Sequence, residues 1–392
     1  MTKKYQVSRP TLPPTEWLLR EYEHMQKTGR VTNGPCVEAL ELSAASLINT
    51  AYDLRPVAFC NGTAALTSIL YCVKSRCRKR DIVILPSFTF GATLVAVLTA
   101  GFKPYFVDCQ EDGTICPAQV FSALLQCSDS VAAVIGVDTF GLPCDIDYLK
   151  SVVGSRDYQR NGTVKEGPYI ICDSAQSLGA FYNSNVWGTQ ADFHMFSMSA
   201  SKPISAGEGG LAWAAESDMR ELLLCMRNYG FGEAYKRHDL DYQGVSGRMP
   251  ELSAVIGIYN ISQSRKNFSH RLELYLEYFY HLSKLGIDIM PHEKDGRHSG
   301  LCYLVAKFPN RNDISKGLDE FKIETKRYFW PALTSGRHGI HKSTGFSPDS
   351  KSYKYSVTNE LEKQCLALPF HNHMTIEDVQ YICGKIKSLL SK

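Results

Sequence analysis

The sequence predicts an α/β protein: a large domain built on a mostly parallel, mixed sheet flanked by helices, followed by a smaller C-terminal α+β domain. Three observations predict it. Short apolar runs alternate with amphipathic stretches through the first part of the chain. Several of these runs are near-continuous, as in strands covered by helices on both faces. From about Pro250 the texture changes to apolar residues at helical spacing over many turns. The boundary is therefore expected there, with residues 1–250 in the large domain and 251–392 in the small one.

In chain order, residues 15–28 have helical texture, and strands are expected at 57–60, 81–85, 103–107, 132–137, 169–172, 193–198 and 210–214. Residues 249–285 then read as helix, 287–290 and 300–308 as strands, and 314–322 and 376–390 as helices. The stretch 336–356, rich in Gly, Ser, Lys and His, reads as a long loop, either a flap or an ordinary surface excursion.

Apolar residues make up 44% and charged residues 21%, the balance of a packed globular protein. Against 43 Lys+Arg stand 40 Asp+Glu, with no basic block, so no nucleic-acid partner is expected. No apolar run reaches the ~20 residues that a bilayer requires. The two lysines Lys3 and Lys4 have no apolar run behind them, so neither a secretory signal nor a membrane partner is expected, and the expected location is cytoplasmic. The 13 cysteines are odd in number and scattered, without a Cys-x-x-Cys pair, and read as mostly buried thiols. His371 and His373 offer two metal ligands at most, so no metal is expected.

Three segments carry chemistry. In the first, an apolar strand runs into Asn61-Gly62-Thr63 and then Ala64-Ala65-Leu66, which has helix-forming texture. A helix N-terminus with free amides and a hydroxyl is an anion site, and Gly62 permits close backbone approach. An ordinary strand-turn-helix cap would read the same way. In the second, the strand ending at Cys172 delivers Asp173 where parallel sheets collect ligands, followed by Gln176. Asp173 would suit a cation such as a protonated pyridine nitrogen, or would serve as a helix cap. In the third, Ser197 is followed by Lys202, with only Ser, Ala, Pro and Gly around the lysine until Glu208. A partly desolvated amine fit for a Schiff base is the expectation.

Together with Pro86-Ser-Phe-Thr-Phe90, Phe140-Gly-Leu-Pro-Cys-Asp145, Gly207-Glu-Gly-Gly210, Arg227-Asn-Tyr-Gly230, Gly247-Arg-Met-Pro-Glu251 and Lys326-Arg-Tyr-Phe-Trp-Pro331, these segments resemble the sugar aminotransferases of the DegT/StrS group over nearly the whole chain. Those are pyridoxal-phosphate enzymes of the aspartate-aminotransferase fold, fold type I. The resemblance implies that Lys202 tethers the cofactor and shuttles the proton, that Asp173 pairs with the pyridine nitrogen and that Gln176 lies beside the ring hydroxyl. It further implies that Gly62, Thr63, the Ala64 amide and Ser197 grip the phosphate and that Phe90 stacks on the ring. A homodimer with its active site at the interface is implied, together with L-glutamate as amino donor and a nucleotide-linked ketosugar as acceptor. Cycling through pyridoxamine 5'-phosphate follows from the same resemblance. Arg248, Lys326, Arg327 and Tyr328 are the candidates for contact with the acceptor.

Some positions depart from that pattern. Ser246 stands where many members have an Asn that reaches the neighbouring subunit's phosphate, Tyr229 where His is common, and Thr334 where His often follows Pro-x-Leu. Alternatives are a non-sugar ketone as acceptor, or a regulatory protein that binds the cofactor without turnover. Deoxysugar dehydratases of the group replace the lysine by His, and Lys202 is present. Ser199-Ala-Ser-Lys202 also fits the Ser-x-x-Lys acyl-transfer motif, but that motif should open a helix, and Pro203 follows here.

Overall fold

The structure, a computed structural model, describes residues 3–154, 167–231, 242–335 and 355–391. Seven strands form the central sheet: β1 (Val57–Phe59), β2 (Ile82–Pro86), β3 (Lys103–Val107), β4 (Val131–Val137), β5 (Tyr169–Asp173), β6 (Phe193–Ser197) and β7 (Gly210–Ala214). Their spatial order is β1-β7-β6-β5-β4-β2-β3. Neighbours from β6 to β3 pair in parallel, whereas β7 runs antiparallel to both β6 and β1. The sheet is mixed and mostly parallel, as the near-continuous apolar runs lead one to expect. All seven residues of β4 are buried, because helices cover both faces.

Helices α1 (Thr15–Thr28) and α2 (Pro35–Leu47) precede the sheet. Helices α3 (Gly62–Arg76), α4 (Gly91–Thr99), α5 (Pro117–Cys127), α6 (Ile146–Gly154) and α7 (Ser217–Arg227) are interleaved with its strands. One face of the sheet packs Phe59, Leu85, Ile135 and Ile171 against Leu66, Ile69, Val97 and Leu223 of α3, α4 and α7. The other packs Ile84, Val134 and Ile170 against Val120, Leu124, Leu149 and Val152 of α5 and α6.

The long helical stretch after Pro250 is two helices, α8 (Glu251–Ser262) and α9 (Ser264–Ser283), separated at Gln263. Beyond them, β8 (Leu304–Lys307) and β9 (Cys365–Leu368) form an antiparallel pair packed among α9, α10 (Arg311–Glu320) and α12 (Ile376–Leu390), with α11 (Ser356–Gln364) leading into β9. The expected strand at 287–290 makes only a bridge from Ile289 to Ala306, flanked by the Met290 N–H on the Val305 carbonyl and the Lys307 N–H on the Asp288 carbonyl, and beyond it the backbone turns to pair His292 with Ser299. The expected strand at 300–308 begins only at Leu304, after Leu301 takes a left-handed φ of 50°. Residues 336–354 of the expected long loop lie outside the described residues, and Ser356 already opens α11. Near the N-terminus, Tyr5 bridges to Ile323, so the start of the chain packs on its C-terminal part.

None of the 13 cysteines forms a disulfide and none is exposed. Among the described residues, no helix is long and apolar enough to cross a membrane.

Candidate active site

The C-terminal ends of β4, β5 and β6 meet the N-termini of α3 and α4 around a cavity of about 230 Å³. This is the position at which parallel sheets hold ligands. Gly62, Thr63, Phe90, Asp173, Gln176, Ser197, Lys202 and Tyr328 all line it, although they are scattered from the first strand to the C-terminal part of the chain.

Asp173 is the last residue of β5 and is buried. Its Oδ2 accepts a hydrogen bond from Thr93 Oγ1 at 2.7 Å, and its Oδ1 accepts from the Ala175 N–H at 3.2 Å. Burial raises the carboxyl above its ordinary pKa, against the pull of Thr93, the Ala175 amide and the Lys202 charge. A buried acid of this kind gains most from a cation within direct reach of its free lone pairs.

Lys202 sits in the turn between β6 and β7. Its N–H donates to the Ser199 carbonyl at 2.9 Å, while Met198 pairs with Ala206 and Gly209 to close the loop. The glycines at the start of β7 are required by close approach: a Cβ on Gly210 would lie 2.5 Å from the Asn61 carbonyl carbon and oxygen and 2.6 Å from the Gly62 nitrogen. The lysine turn and the first turn of α3 are thereby held together.

At that first turn, Asn61 caps the helix by accepting the Ala64 N–H at 2.8 Å. The Ala64 amide, expected on a phosphate, is thus engaged by the cap. The amides of Gly62 and Thr63 lack intrahelical acceptors by helix geometry, and the hydroxyls of Thr63 and Ser197 stand beside them. These groups make the anion end of the cavity.

Phe90, the residue before α4, is 58% exposed and lines the opening, leaving an aromatic face free for a planar ring. Gln176 is buried and its Oε1 accepts the Phe140 N–H at 3.0 Å, so its amide NH₂ is the part left to offer. Phe140 itself stacks on Phe329 at 5.4 Å.

The other expected residues stand outside this cavity. Arg248 donates to Asn228 Oδ1 at 2.8 Å and to the Tyr229 hydroxyl at 3.2 Å. Ser246 pairs with Asn228 through the backbone. Lys326 pairs with Ala367, and Arg327 lies over the Trp330 ring at 4.1 Å, facing a separate polar hollow. Residues that sequence reasoning did not single out include Thr93, Tyr303, Ser201 and Phe329. Thr93, three residues into the helix after Phe90, could have been found from helical geometry. Tyr303 carried no local signal, because it is brought in by the C-terminal part.

The sequence model described as the DegT/DnrJ/EryC1/StrS aminotransferase family matches residues 15–387. The chain is similar to GDP-perosamine synthase of Escherichia coli O157:H7, at 25% identity over 84% of each chain. It is also similar to dTDP-4-amino-4,6-dideoxy-D-glucose transaminase of Shigella dysenteriae, at 24% identity over 99% of this chain and 100% of that one. The fold matches that of Spr1654 from Streptococcus pneumoniae in its PLP form, with a TM-score of 0.87, 23% identity and 99% of both chains covered.

The chemistry of the lining suits pyridoxal phosphate. A primary amine, a buried carboxylate, an exposed aromatic face and a helix N-terminus with two hydroxyls are the groups that an aldehyde, a pyridine nitrogen, a planar ring and a phosphate each call for.

Proposed function

The chain belongs to the DegT/DnrJ/EryC1/StrS aminotransferase family, and on that premise we propose that it is a pyridoxal-phosphate-dependent aminotransferase that moves the amino group of L-glutamate onto the ketone of a nucleotide-linked deoxysugar. The observation that carries this reading is the convergence of Lys202 and Asp173 in one cavity with the α3 N-terminus. The names of the relatives from Escherichia coli and Shigella dysenteriae support the acceptor class.

When bound, pyridoxal phosphate supplies an aldehyde that carries the amino group and a ring that takes up electron density when a Cα proton leaves. The chain supplies the rest. Lys202 Nζ would tether the cofactor, then take the Cα proton of the donor and deliver it to the carbon that was the cofactor's aldehyde. Asp173 would keep a proton on the pyridine nitrogen, and Thr93 fixes the orientation of that carboxylate. Thr63, Ser197 and the Gly62 and Thr63 amides would hold the phosphate. Phe90 would offer its face to the ring, and the Gln176 NH₂ would serve the ring hydroxyl.

Tyr328 lines the cavity, which supports a direct contact of its side chain with the acceptor. Arg248, Lys326 and Arg327 lie outside it within one chain, so their contact with the acceptor diphosphate belongs to an extended groove completed in a homodimer. Ser246 would reach the phosphate of the second subunit from the same interface.

The test is spectroscopic. The full-length chain reconstituted with pyridoxal phosphate is expected to show a visible band that borohydride fixes as an adduct on Lys202. L-glutamate should bleach that band and release 2-oxoglutarate. A band that no amino donor changes, alone or with ketosugar present, would leave a cofactor-binding regulatory protein instead.

A further inference from the structure

Lys202 is flanked by Ser199, Ala200, Ser201 and Pro203, none of which has a side chain long enough to confine its flexible arm. The confinement comes from far along the chain. The Tyr303 ring centroid lies 5.4 Å from Lys202 Nζ, within the distance at which an ammonium is attracted to an aromatic face.

That ring is held on several sides. The Tyr303 hydroxyl donates to Ser201 Oγ at 3.0 Å, and Ser201 Oγ lies 3.4 Å from Ser199 Oγ. The Tyr328 ring packs against that of Tyr303, with centroids 5.0 Å apart. The backbone just before Tyr303 is locked by the buried Arg271, which donates to the Leu301 carbonyl at 2.7 Å and to the Cys302 carbonyl at 2.9 Å. Ser199, Ser201, Tyr303 and Tyr328 all line the same cavity as the lysine.

We propose that Tyr303, braced by Ser201 and Tyr328, is a positioning residue for Lys202: its ring restricts the arc of the amine so that Nζ meets the Cα proton along one path. The inference rests on the aminotransferase reading. The step it serves is a proton transfer, in which the proton leaves the donor Cα, binds the Nζ lone pair and would then be delivered to the carbon that was the cofactor's aldehyde, freeing Nζ again within the same half-reaction. No oxidant, reductant or further co-reactant is needed. The enzyme gains because a catalytic group held in a near-attack position avoids the entropic cost of finding it.

Three variants test the proposal: Tyr303→Leu, Tyr303→Phe and Ser201→Ala. Tyr303→Leu should lower kcat on the order of 10- to 100-fold with little change in KM for the amino donor, the scale of loss expected from a misplaced catalytic group. The primary deuterium isotope effect on kcat with Cα-deuterated glutamate should rise, since proton transfer becomes more limiting. Tyr303→Phe and Ser201→Ala, which keep a ring but lose the brace, should lie between Tyr303→Leu and the wild type. A second readout needs no turnover: reductive methylation of the cofactor-free full-length chain, followed by peptide mass spectrometry. Lys202 should label several-fold faster in Tyr303→Leu, with the exposed Lys79 unchanged.

Active wild type with unchanged kcat and isotope effect in Tyr303→Leu would overturn the proposal and leave the aminotransferase reading standing. If the wild type turns nothing over, that reading falls, and equal Lys202 methylation in wild type and variant overturns the positioning role independently. Should Tyr303→Leu fail to fold, unchanged kcat and methylation in both of the other variants overturn it.

Discussion

Thr93 Oγ1 donates a 2.7 Å hydrogen bond to Asp173 Oδ2, joining the first turn of α4 to the end of β5. The same turn begins beside Phe90. One short helix therefore orients the carboxylate under the site and presents the aromatic face at its mouth. Thr89 Oγ1 in turn lies 3.0 Å from Thr93 Oγ1.

Removing that donor leaves a buried carboxylate with one fewer partner. Thr93→Val should cost about 1.5–3 kcal/mol of stabilisation of the charged form, the usual range for hydrogen bonds to ionised groups. The expected result is a fall in kcat/KM for the amino donor of about 10- to 100-fold, with a larger fall for Asp173→Asn. Steady-state kinetics on both variants and cofactor titration by absorbance check this.

His194 should make the protein acid-labile. It is fully buried on β6, its Nε2 accepts the N–H groups of Gln190 and Ala191 at 3.2 Å each, and its Nδ1 lies 3.0 Å from Ser174 Oγ. Burial pushes its pKa down from 6.5 to about 3. Because the folded value is depressed, the unfolded chain binds the extra proton between those two values, and stability falls as pH drops through that window. At pH 4.5 the loss relative to pH 7 should be about 3 kcal/mol from this residue. Urea unfolding of wild type and His194→Gln at the two pH values measures it, and the variant should show the smaller pH dependence.

Two glycines should respond in opposite ways. Gly210→Ala forces a Cβ against the backbone of Asn61 and Gly62, at 2.5–2.6 Å. That backbone cannot yield without moving the α3 N-terminus, so cofactor affinity should fall more than tenfold along with stability. Gly384 lies inside α12 with nothing near a new Cβ, so Gly384→Ala should stabilise by about 1 kcal/mol. Thermal unfolding with and without pyridoxal phosphate separates the two cases.

Glu251 ties α8 to the start of α2. Its buried carboxylate accepts the Gly34, Cys36 and Val37 N–H groups at 2.8, 2.8 and 3.2 Å. Glu251→Ala should therefore destabilise by about 3 kcal/mol or more, since it orphans several buried donors, and Glu251→Gln by less. Denaturant melts of the two variants give the order.

Much of this was legible in the amino-acid order because it is local. The runs that became β2 to β7 announced themselves as short apolar stretches, several of them near-continuous, and Asp173 and Lys202 were marked by standing at or just beyond the ends of such runs. The helix N-terminus that lines the cavity could be read from Asn61-Gly62-Thr63, since a helix N-terminus is a local property. The Ala64 N–H is bonded to the Asn61 side chain, and only geometry tells which role that cap residue takes.

Sequence alone thus determined the strands of the central sheet, their burial and the residues that stand at their ends, because hydrophobic period and strand termini are written over a few consecutive positions. Tertiary structure decided which distant groups complete the site: Thr93 on Asp173, Phe140 on Gln176, and Tyr303 and Ser201 around Lys202. It also left Arg248, Lys326 and Arg327 outside the cavity, pairing them instead with Asn228, Ala367 and Trp330. Such contacts depend on how the C-terminal helices and the β8–β9 pair pack against the sheet, which is a sum of many weak long-range contacts that no short window of residues records.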